Sequence, residues 1–119
     1  VFGGRILEIL LDKLKEYLHM EEEISFEEFS QYYKDLISFL NTNFSDFDHG
    51  ECLRARFICT IVQGNAESRS KSSRTNAKAF KKMNNKCAFW ADALNYRLLK
   101  EGMTQQEIED ATQVISDSI

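Results

Sequence analysis

Proline is absent from the 119 residues, and glycine occurs only five times. Without proline nothing interrupts a helix from inside, and so little glycine leaves few tight turns for a many-stranded β fold. The apolar runs are only a few residues long, against the ~20 that a membrane-spanning helix needs. No Cys-x-x-Cys pair, no His-Glu-x-x-His and no glycine-rich phosphate loop occurs. Only two histidines are present. His19 stands among glutamates and His49 beside Asp48, and the serine-rich stretch 68–73 has neither a glycine elbow nor a neighbouring base. The chain is therefore expected to be non-enzymatic.

Three cysteines, Cys52, Cys59 and Cys87, are an odd number and make no disulfide framework. They read as reduced core thiols, which implies a cytoplasmic setting. His49 and Cys52 are three apart, with Cys59 one heptad further on. That spacing in an apolar helix signals packing rather than ligation, so no metal and no cofactor is expected. Residues 21–35 lack the alternating Asp/Asn ligands and central glycine of a calcium loop.

What is present is helical periodicity. Hydrophobic residues make up 43% of the chain, enough for one core in one domain, 1–119. Residues 1–4 are expected to be a disordered or appended tail. Leu7, Leu10, Leu11, Leu14 and Leu18 recur at helical spacing from about Arg5 to Met20. Ser25 and Glu28 form a capping box for a second helix that runs to about Leu40. Phe29, Tyr32, Tyr33, Leu36, Ile37 and Leu40 point inward, and Phe44 and Phe47 pin the following connection. Asp48 and Glu51 suggest a second box. It would open a helix, apolar over most of its circumference and hence central, from His49 to about Gln63. A strand around Ile61 and Val62 is the minor alternative.

Residues 64–74 show no apolar periodicity and read as an exposed basic connection. One long helix through the region is the alternative. From Thr75 to Lys100, Phe80, Met83, Cys87, Trp90, Ala91, Leu94 and Leu98 share a face, and Gly102 fits a glycine cap. Thr104 and Glu107 open a last helix with Ile108, Ala111, Thr112 and Ile115 inward. The expected fold is all-α, a compact bundle of about five helices, mostly antiparallel.

The charges are unevenly distributed. Residues 1–52 carry four Lys/Arg against twelve Asp/Glu, residues 53–86 nine against one, and residues 87–119 two against six. Arg54 and Arg56 lie within the apolar helix. They are expected to form a buried ion pair with an acid of the first two helices, or to line a pocket. Arg69, Lys71, Arg74, Lys78, Lys82 and Lys86 form a candidate basic face, joined by Lys81. On a helix continuous from Lys71, that face leads into Phe89 and Tyr96.

With Phe2, Phe44 and Phe47, these rings exceed what one small core needs. The primary expectation is an interaction module that docks a protein partner, or a second copy, through segregated acidic and basic surfaces. The alternative is nucleic-acid or phosphate binding by the basic face of 69–86, against which the sequence pI near 5.2 argues. No membrane partner is expected.

Overall fold

Each helix after the first starts beside a polar side chain, and at three of those starts the side chain takes over an amide that the helix leaves without a partner. The computed structural model describes residues 2–119, and it shows five helices among them: α1 Phe2–Leu18, α2 Phe26–Asn43, α3 His49–Ser72, α4 Ala77–Lys100 and α5 Gln105–Asp117. Val1 and the Phe2 side chain lie outside the described residues, so Phe2 drops out of the aromatic surplus. The helix begins at Phe2, which corrects the expected tail over positions 2–4.

The Ser25 hydroxyl accepts from the Glu28 amide at 3.1 Å, one half of the expected box. Asp48 with Glu51 and Thr104 with Glu107 close theirs in both directions. At the other end of α4, the Gly102 amide donates to the Leu99 carbonyl and the Met103 amide to that of Leu98. This is a Schellman closure, and its left-handed residue is Gly102, at φ +109°.

The largest departure from expectation is α3. It continues unbroken to Ser72, so residues 64–72 are helix and the connection shrinks to 73–76. Small residues permit this: Ala66 is fully buried, while Gly64 and Asn65 face solvent. The short connection makes α3 and α4 an antiparallel hairpin, and these two helices form the most extensive interface in the molecule. α3 also packs on α1 and α5, which makes it the central helix as its apolar circumference implied.

α2 closes over α4 through rings. Phe26 and Phe29 meet Phe80 edge-on at 5.4 and 5.5 Å, and Phe44 meets Trp90 at 5.5 Å. The inward row of α4 is buried throughout, from Phe80 to Leu98. α1 contributes Leu7, Leu10, Leu11 and Leu14 to the same core, whereas Leu18 is exposed. The Tyr32 hydroxyl donates to the Leu10 carbonyl at 2.6 Å and ties α2 to α1. The all-α bundle with antiparallel chain neighbours is thus the observed fold.

Candidate interaction surface

The break at 73–76 divides the candidate basic face between two helices and a turn. Arg69 and Lys71 close α3, Arg74 lies in the turn, and Lys78, Lys81, Lys82 and Lys86 belong to α4. There is accordingly no single helix from Lys71 onward to carry all of them.

Arg69 does not join the others. Its side chain is only 12% exposed and turns back towards the chain between α1 and α2. Nη1 donates to the Ile24 carbonyl at 3.0 Å, and the guanidinium carbon stands 4.6 Å from the Phe29 ring centre. Lys71 is exposed but shares its helix face with Glu67, whose carboxylate is 3.6 Å away.

On α4 the row is coherent. At 100° per residue, Lys78, Lys81, Lys82, Asn85, Lys86, Phe89, Asp92, Tyr96, Leu99 and Lys100 fall on one side of the helix. All of them are exposed. Lys78, Lys81, Lys82 and Lys86 form no ion pair with any carboxylate among the described residues. Beyond them Phe89 is 59% and Tyr96 64% exposed. The Lys86 ammonium lies 5.4 Å from the Phe89 ring centre, and the Lys100 ammonium 5.8 Å from that of Tyr96. At about 1.5 Å per residue the strip from Lys78 to Tyr96 is about 27 Å long. Leu99 and Lys100, outside the expected face, extend it, and their place on the same helical row is the sequence signal for them.

Arg54 and Arg56 part company as their 200° separation required. Arg56 donates through Nε to the Asn95 side chain and through Nη1 to the Thr112 hydroxyl, both at 3.0 Å. Burial lowers its pKa, opposed by the charges of Glu109 and Asp92. Arg54 keeps a buried Nε with no hydrogen-bond partner among the described residues. Neither forms an ion pair with an acid of α1 or α2, contrary to expectation. The acceptors that reach Arg56 come from α4 and α5 instead.

The three thiols are buried and unpaired. Burial pushes the Cys52 thiol up to about 11 and the Cys87 thiol up to about 12, and raises that of Cys59 as well. Among the described residues no three His, Cys, Asp or Glu side chains are grouped to hold a metal ion. His49 pairs with Glu101 at 3.1 Å, and His19 meets the Ile119 carbonyl at 3.0 Å. No helix among the described residues is long and apolar enough to cross a membrane.

Comparison with protein-family models, with curated proteins and with solved structures finds no match for the chain.

Proposed function

We propose that this chain is a non-enzymatic interaction module that docks an acidic protein surface on the outward face of α4, in a cytoplasmic setting where its thiols stay reduced. The observation that carries this reading is the unpaired run Lys78, Lys81, Lys82 and Lys86, which leads directly into exposed Phe89 and Tyr96. Four cations without internal counter-charge steer an anionic partner, and rings beside them supply apolar area that a charged strip alone lacks.

A second copy of the chain is the occupant that its own surfaces supply. Glu27, Glu28 and Asp35 on α2, with Glu109 and Asp110 on α5, are exposed and acidic. Docking either acidic group on α4 of another copy would neutralise charge on both partners.

Sedimentation velocity on the full chain at about 0.05 M and about 1 M salt tests this, because screening acts on exposed charges over that range. The expected result is a dimer that dissociates with salt, and a Lys78→Glu/Lys82→Glu/Lys86→Glu variant that is monomeric throughout. A monomer at every salt removes the second copy as occupant.

A second reading has its own support in the sequence of cations followed by exposed rings, which suits single-stranded nucleic acid. Its signature is affinity for an oligothymidylate that falls by about 0.7 log units per log of salt for each phosphate neutralised. No binding at about 0.05 M salt, where such contacts are strongest, would discard it.

A further inference from the structure

Away from the α4 strip, a half-open cleft of about 200 Å3 lies between the end of α1, the 19–25 connection, the start of α2 and the C-terminal half of α3. Tyr17, Phe29 and Val62 give it apolar walls, Glu21, Glu22 and Glu23 line its acidic side, and Arg69 brings a guanidinium into it.

Arg69 is rigid but under-paired. The Ile24 carbonyl holds Nη1 and the Phe29 ring lies under the guanidinium. Nε is enclosed without a hydrogen bond, and Nη2 donates to nothing among the described residues. The nearest carboxylate, Glu23, stands 3.8 Å from Nε and is itself 79% exposed. At that distance it is an ion pair beyond hydrogen-bond reach, and its solvated side chain can give way. With Nη1 taken and Nε enclosed, Nη2 of this fixed guanidinium is the donor left to receive a carboxylate.

A bare anion is nevertheless a poor occupant. Three glutamates beside one arginine make the local field negative, and like charges at short range repel. An ammonium on the same ligand reverses that term. The walls then require an apolar body between or beside the two charges.

We propose that this cleft binds a small zwitterion with an apolar side chain, in chemical class a free apolar α-amino acid. Its carboxylate sits on Arg69, its ammonium among Glu21, Glu22 and Glu23, and its side chain against Tyr17, Phe29 and Val62.

Isothermal titration of the full chain at neutral pH tests this with L-leucine and L-phenylalanine, set against 3-phenylpropanoate, which lacks the ammonium, and 2-phenylethylamine, which lacks the carboxylate. The expected result is that at least one amino acid binds and each truncated probe binds at least about tenfold more weakly. Arg69→Lys keeps the charge but loses the planar guanidinium that places Nη2, and weakens binding by about tenfold. Glu22→Gln, on an exposed side chain that leaves the fold intact, weakens it several-fold. Circular dichroism verifies each variant, and Glu22→Gln decides alone if Arg69→Lys fails to fold. Equal binding of either truncated probe, unchanged binding by folded variants, or no heat with either amino acid at about 10 mM overturns the proposal.

Discussion

The guanidinium of Arg97 on α4 donates to the main-chain carbonyl of Phe47, fifty residues earlier in the chain. Its other terminal nitrogen donates to the Phe44 carbonyl, and the guanidinium carbon lies 5.2 Å from the Phe44 ring centre. Glu101, one turn along, meets Arg97 Nε at 3.3 Å and His49 Nε2 at 3.1 Å. One side chain thus binds the carbonyls of the first residue of the short 3-10 turn Phe44–Asp46 and of Phe47 just after it, and holds Phe44 against Trp90. The pinned connection expected from Phe44 and Phe47 is therefore pinned by a cation as well as by packing.

Arg97→Ala removes the guanidinium from both carbonyls, and the Phe44 carbonyl keeps only the Phe47 amide, at 3.4 Å. Hydrogen bonds to a charged group contribute about 1.5–3 kcal/mol each, but solvent reaches this connection and replaces part of the loss, so a destabilisation of about 2–3 kcal/mol is expected. Urea unfolding measures it. The emission of Trp90, the only tryptophan, should shift to the red as Phe44 loosens. An unchanged midpoint and spectrum would show that the clamp contributes nothing.

Gly102 closes α4 at φ +109°, a conformation that L side chains rarely adopt. A Cβ there meets no atom within 4 Å, so the cost of Gly102→Ala is backbone strain alone. About 1 kcal/mol of lost stability is expected by urea unfolding, whereas Gly64→Ala, within α3 and also facing open space, should gain about 0.5–1 kcal/mol.

The buried thiols give stability a dependence on alkaline pH. Burial raises Cys52 from 9.0 to about 11 and Cys87 from 9.0 to about 12. Above pH 9 the unfolded chain releases these protons while the folded chain keeps them. Stability is thus fully present below about pH 9 and falls as pH rises towards 11–12, by up to about 1.4 kcal/mol per pH unit for each such group. Denaturation midpoints between pH 7 and about 10.5 measure the slope. A thiol reagent at pH 8 should find no reactive cysteine until the chain is unfolded.

The charge-reversed α4 strip should fold as well as the parent chain. Lys78, Lys82 and Lys86 are exposed, form no ion pairs and stand four residues apart, where like charges repel. Each single Lys→Glu change is expected to shift stability by less than about 0.5 kcal/mol, with the salt-dependent association lost. Phe89→Ala and Tyr96→Ala should likewise spare the midpoint while weakening association. Arg56→Ala, by contrast, removes the donor to Asn95 and Thr112 and should cost about 1–3 kcal/mol. These variants together separate the cations of the proposed docking strip from those that hold the fold.

Much of the fold could be read from residue order, because helix signals are local. Asp48, Thr104 and Gly102 act within a few residues of themselves, and the inward row of α4 follows from spacing alone. The end of α3 is not legible in the sequence because residues 64–72 lack an apolar stripe. Helix continues there because the residues tolerate it and only Ala66 must be buried, a requirement that one small side chain satisfies without leaving a pattern.

The chain order alone determined where α2, α3 and α5 begin and which side of α4 faces water, since periodicity and capping depend on neighbours three or four positions away. Only the tertiary structure decided the fate of each cation. Arg56 found acceptors on α4 and α5, Arg69 a carbonyl before α2, and Arg97 two carbonyls before α3, while Lys78, Lys81, Lys82 and Lys86 found none. A cation's partner depends on which acceptors the fold brings within a few ångströms, across 39–56 residues of chain in these three cases, and no local pattern encodes that distance.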